Sequence, residues 1–170
     1  MIPRLRVTLW LLLFLSSAPY FAGRDSWGLA ERYERSLTRQ LNFIIAKHPR
    51  YAWGGAEDLQ KGLDCSGYIF LAAKWAAIPG ITRTTAYRMS QGLGGWNGRD
   101  IVLDSARQCD LVFWTFVPAR LHGHVGAILR DRQGLHKVTH SSARRGVVLD
   151  RLEGLSLRSL TGIRRLTIGD

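Results

Sequence analysis

From Ser26 onward the stretch WGLAERYERSLTRQLNFIIAKH places apolar residues at Leu29, Tyr33, Leu37, Leu41, Ile44 and Ile45. Steps of three and four residues draw one apolar stripe along a helix, with Asp25 or Ser26 as its cap and Pro49 just past its end. The glycine-rich, polar segment YAWGGAEDLQKGL predicts a loop. SGYIFLAAKWAAI is apolar on most sides and predicts a central helix that stops at Pro79-Gly80. Thr84 to Gln91 predicts a short third helix, and QGLGGWNGRD a further loop. Then the period changes. LVFWTFV, HVGAIL, LHKVTH and GVVL are short runs of β-branched and aromatic residues between Gly, Pro and charged turns, and RLTIG offers a last strand. Helices followed by consecutive strands predict an α+β fold, an antiparallel sheet carrying helices on one face.

At 170 residues the chain suits a single domain, and no repeat, low-complexity tract or linker divides it. With 46% hydrophobic and 22% charged residues, wholesale disorder is excluded. A net charge of +11 favours polyanionic partners, anionic lipid and cell-wall polymer among them. The basic residues are spread along the chain without a nucleic-acid-binding motif, so nucleic acid is not expected as a partner.

The N-terminal MIPRLRVTLWLLLFLSSAPYFAG sets Arg4 and Arg6 ahead of an apolar run from Val7 to Leu15, then Ser16, Ser17 and Ala18. That is the layout of a secretory signal peptide, and the run is short for a bilayer span. Pro19, Tyr20 and Phe21 crowd the cleavage positions, so an uncleaved anchor is the alternative. Residues 1–23 are read as a signal peptide or N-terminal membrane anchor, and 24–170 as one domain exported to the periplasm or cell envelope. Export permits a Cys65–Cys109 disulfide, although two cysteines make no disulfide framework.

Cys65 stands where the loop gives way to the second helix, in GLDCSGYIF. Free backbone N–H groups and the positive end of the helix dipole favour a thiolate there. Ser66 and Gly67 keep the first turn small, leaving room for a substrate carbonyl. A buried thiol packing at a helix start is the bland alternative. A nucleophile needs a base, and the base an orienting group. His124 opens HVGAIL and His140 ends the next strand, in VTHSS, so a hairpin brings the two together. His140 would then hold the His124 ring in its working tautomer.

YAWGG, LDCSGY, RTTAYRMSQG, CDLVFW, HVGAIL and HSSARRGVV, in that order, resemble the NlpC-type cysteine peptidases, papain-like enzymes of bacterial cell walls. The likeness runs from about Tyr51 to Asp150, and GIRRL resembles the family's closing strand. It implies a papain-like NlpC-type fold, with Cys65 as nucleophile, His124 as general base and His140 as third polar residue. Tyr51 takes the family's tyrosine position beside the oxyanion, while Asp64 and Ser66 match positions that contact substrate or cap the helix. Arg83, ahead of TTAYR, is a candidate for holding a substrate carboxylate, or else a solvated helix-start arginine. The implied reaction is hydrolysis of an amide in peptidoglycan stem peptides, of the D-glutamyl-diamino acid type. No cofactor is expected, and the chain is expected to act as a monomer.

Two departures stand out. Cys109-Asp110-Leu111 replaces the family's Gly-Asp-Leu, where glycine serves a turn. The His124–His140 connection is longer than usual, which makes His136 a rival third residue. Competing readings are a zinc site drawn from His122, His124, Cys109, His136 and His140, a non-catalytic wall-binding module, and an acyltransferase or amidase on a non-wall substrate. Of the tryptophans, Trp53 and Trp96 fall in predicted loops that could line a groove, whereas Trp75 and Trp114 are assigned to the core.

Overall fold

A computed structural model describes residues 18–115, 123–131, 133–134, 136–154 and 159–168, without the side chains of 18–27 and 29. The apolar run Val7 to Leu15 lies outside the described residues, as does His122. Among the described residues no helix is long and apolar enough to cross a membrane.

Helix α1 spans Ala18–Lys47, so it starts well before the expected cap at Asp25 or Ser26. Pro19 sits in its first turn, where an N–H is unpaired in any case and a proline therefore breaks no hydrogen bond. From Tyr33 on the expected stripe holds: Leu37, Leu41 and Ile44 are buried, with Tyr33 and Ile45 packed beside them, while the Leu29 side chain lies outside the described residues. Helix α2 runs Cys65–Trp75, and its residues Cys65 to Ala73 are all buried, as its unbroken apolar sequence requires. Helix α3 is one short turn, Ala86–Ser90, capped by the Thr85 hydroxyl.

Strands β1 (Gly98–Asp100), β2 (Leu111–Trp114), β3 (His124–Arg130), β4 (His136–Ser142), β5 (Gly146–Arg151) and β6 (Leu160–Leu166) make one antiparallel sheet in the order β1-β6-β2-β3-β4-β5. The expected sequential meander is β2 to β5. The chain then returns along the far edge, so β6 lies beside β2 and offers its other side to β1. β1 comes from the polar end of QGLGGWNGRD, which carries no alternation to betray it; pairing with β6 makes it a strand. The last strand also begins earlier than RLTIG suggests. Arg165 on β6 grips the buried Asp110 ahead of β2 with two bonds, Nε to Oδ1 at 2.9 Å and Nη2 to Oδ2 at 2.8 Å.

Side-chain alternation divides the core in two. Leu111, Phe113, Val125, Ala127 and Leu129 join the helices in the main cluster. Val112, Trp114, Ile128, Val138 and Ile163 point to the opposite face, under Ala106 and Leu152. Helix α2 packs on β3 and β4, and its buried Tyr68 hydroxyl meets Thr139 Oγ1 on β4 at 2.8 Å. The N-terminus of α2 is thereby fixed against the sheet.

Candidate active site

The approach to α2 is pinned before the cysteine is reached. Leu63 N–H donates to Arg50 O at 3.0 Å, and Leu63 O accepts from Ser141 Oγ of β4 at 2.7 Å. Asp64, in extended conformation, then caps the helix: its Oδ1 accepts from Gly67 N–H at 2.6 Å and from Ser66 Oγ at 3.0 Å. Its Oδ2 accepts from Gly54 N–H at 3.0 Å and Arg83 Nη2 at 2.6 Å. Arg83 Nη1 also donates to Ser66 Oγ at 2.8 Å and to Thr84 O. Asp64, Ser66 and Arg83 thus form one network that ties two loops to the helix start.

Gly67 serves a different purpose from the one expected. A Cβ there would lie 1.9 Å from Gly55 O, so the space spared by the glycine is filled by the preceding loop and not by a substrate carbonyl.

Cys65 opens α2 and is buried. Burial pushes its thiol up; hydrogen bonding from Val125 N–H and Ser66 N–H opposes this, the Asp64 carboxylate adds to it, and Arg83 opposes it weakly. The expected thiolate is therefore overturned. A helix terminus contributes at most about 2 kcal/mol, and desolvation of an ion outweighs that. Val125 follows His124 directly, so its N–H brings the start of β3 to the sulfur. The Tyr51 phenol lies near the same place. Burial chiefly, and then the neighbouring Cys65 and Asp64, raise its pKa, so it remains an O–H donor at neutral pH.

His124 and His140 meet as the hairpin predicts. Gly126 of β3 pairs with His140 of β4, and His124 Nε2 lies 2.9 Å from His140 Nδ1. A Cβ at Gly126 would approach Thr139 O to 2.6 Å and His140 Cβ to 3.1 Å, so glycine allows the strands this closeness. Trp114 packs against both rings, with centroids 5.8 Å and 6.1 Å away. Burial holds His124 at about 3, assisted by His140. His140 is also lowered, chiefly by burial, against a raising contribution from Asp150. At neutral pH thiol and imidazoles are all uncharged.

Sequence reasoning missed two further residues. His140 Nε2 lies 3.0 Å from Asp150 Oδ2 on β5, and Arg145 Nη1 holds Asp150 Oδ1 at 2.9 Å. The signal was there in GVVLD, whose alternation puts Asp150 on the same face as Val148, the partner of His140. Reading it requires the strand register.

His136 begins β4 opposite Arg130, whose Nε donates to it at 3.1 Å, far along the strand from His124. Cys109 is a free thiol, as is Cys65; its sulfur meets Thr38 Oγ1 at 3.2 Å. Its φ of 65° confirms that the position suits glycine. Among the described residues no group of three or more His, Cys, Asp or Glu side chains is arranged to hold a metal. Trp53 is exposed, but Trp96 is buried with its N–H donated to Thr82 O at 2.9 Å, against the groove role considered for it. Trp75, assigned to the core, is 39% exposed and stacks edge-on with Phe43.

Solved structures share the fold, two NlpC/P60-family proteins among them. One is an NLP/P60-family protein from Staphylococcus aureus, described as similar to a lipoprotein, with TM-score 0.60 and 22% identity over 79% of this chain and 42% of its own. The other is an NlpC/P60-family protein from Bacillus cereus, with TM-score 0.61 and 22% identity over 79% of this chain and 40% of its own. The chain thus spans about two fifths of each. A comparison with curated proteins finds no match. The family model for NlpC/P60 matches residues 48–158, from the loop before Tyr51 to beyond Asp150, and therefore takes in the thiol, both histidines and the carboxylate. The chain belongs to the NlpC/P60 family, whose members are generally cysteine peptidases.

Proposed function

We propose that this protein is an exported cysteine peptidase that hydrolyses an amide bond in peptidoglycan stem peptides, of the D-glutamyl-diamino acid type. The observation that carries the reading is the meeting of Cys65, at the start of a buried helix, with the head of β3, where His124 is hydrogen-bonded to His140. Since thiol and imidazole rest uncharged, the proton leaves sulfur as attack begins. His124 Nε2 is committed to His140, so Nδ1 is the nitrogen that takes this proton. The sulfur bonds to the carbonyl carbon, and the oxyanion is met by the Tyr51 hydroxyl and the Cys65 N–H. The imidazolium then protonates the leaving amine as the C–N bond breaks, giving a thioester. Water, deprotonated by His124, cleaves the thioester and the thiol regains its proton. Arg4, Arg6 and the apolar run from Val7 to Leu15 support export to the compartment that holds the polymer.

The test incubates purified muropeptides with wild type and Cys65→Ala and identifies products by mass spectrometry. Fragments from wild type alone, gaining one water, are expected. If no muropeptide is cut, the wall-hydrolase reading fails.

A further inference from the structure

We propose that Asp150 is a positioning residue of this site, dictating which nitrogen of each histidine ring carries the proton. The inference rests on the thiol–imidazole reading above and adds Asp150 and Arg145 to it.

An ionised carboxylate accepts hydrogen bonds and donates none. His140 Nε2, 3.0 Å from Asp150 Oδ2, must therefore carry the hydrogen and donate it. A neutral imidazole has one N–H, so His140 Nδ1 is left as an acceptor. His124 Nε2, 2.9 Å away, must then donate. Its proton being on Nε2, His124 has its lone pair on Nδ1, where a base needs it. One carboxylate thus sets two rings in series. Sheet geometry supplies the placement: Asp150 pairs with Val138 and His140 with Val148, so acid and ring are diagonal neighbours on one face. Arg145, in the turn between β4 and β5, grips both carboxylate oxygens and keeps the group ionised, its hydrogen bond being the main cause that lowers Asp150.

Asp150→Ala is the informative change, because it takes the acceptor away from His140 Nε2 and leaves neither ring tautomer imposed. Part of the protein then carries the His124 proton on Nδ1 and offers the thiol an N–H in place of a lone pair. Alkylation of Cys65 by iodoacetamide at pH 7, quantified at that residue by mass spectrometry, is expected to slow severalfold. The thermal midpoint should stay near that of wild type, and nitrogen-15 spectra should show both nitrogens of each ring partly protonated. Asp150→Asn can set its amide oxygen in the Oδ2 position, where Arg145 Nη2 and His140 Nε2 both donate, and should restore most of the alkylation rate. Alkylation of Asp150→Ala at the wild-type rate would overturn the proposal. So would wild-type spectra with either ring protonated on Nδ1, a measurement that needs no variant to fold. Neither readout uses a wall substrate. Inert muropeptides would sink the hydrolase reading and leave this inference standing.

Discussion

Asp64 shows how much a single side chain carries. It caps α2, fixes the Gly54 amide and neutralises Arg83, all within one residue of the sulfur. Asp64→Ala removes a cap worth about 1 kcal/mol and strands a half-buried guanidinium, so urea unfolding should show a loss of roughly 3 kcal/mol. Asp64→Asn keeps the cap and should lose distinctly less. Equal losses from the two would mean that the cap contributes nothing beyond the charge of Asp64. Cys109 makes a different point: its backbone occupies a glycine conformation, and the buried side chain offsets that strain through Thr38. Burial drives this thiol up to about 12, which keeps it inert.

At the scale of elements, the decisive contact is loop against helix. In most helices Gly→Ala stabilises by about 1 kcal/mol. At Gly67 the added methyl would lie 1.9 Å from the Gly55 carbonyl, and the loop carrying Tyr51 would have to move. Gly67→Ala is therefore expected to lower the unfolding midpoint and reduce Cys65 alkylation together; a raised midpoint would refute the packing argument. Between strands, Asp110 and Arg165 join β2 to β6 with Asp110 almost wholly buried. Losing one partner of such a pair costs about 3–5 kcal/mol, so Asp110→Ala should unfold far more readily than wild type.

For the molecule as a whole, the buried histidines govern acid stability. His124 is held at about 3 in the folded chain, against about 6.5 when unfolded. Between those values the unfolded chain binds the proton and the folded chain does not, so stability is full above pH 6.5 and falls as pH drops towards 3. His140, also lowered, adds in the same direction. Each group contributes a slope of up to about 1.4 kcal/mol per pH unit. The thermal midpoint should decline steadily from pH 7 to pH 4, and His124→Gln should flatten the decline. A midpoint indifferent to pH over that range would contradict neutral burial of the rings.

The sequence by itself determined the succession of helices and then strands, the cysteine at a helix start and the two histidines at facing ends of a hairpin. Each of these follows from periodicity or from neighbours a few residues apart, and such information is local. What only the tertiary structure decided involves partners distant along the chain or the removal of water. Strand β1 exists because β6 offers it an edge, and Trp96 is buried because the Thr82 carbonyl accepts its N–H. Asp150 reaches His140 only through the register of β4 and β5. Above all, the protonation of the site was settled by desolvation. A helix terminus favours a thiolate, but the buried sulfur and rings of the folded molecule remain uncharged, since losing water outweighs the helix's partial charge.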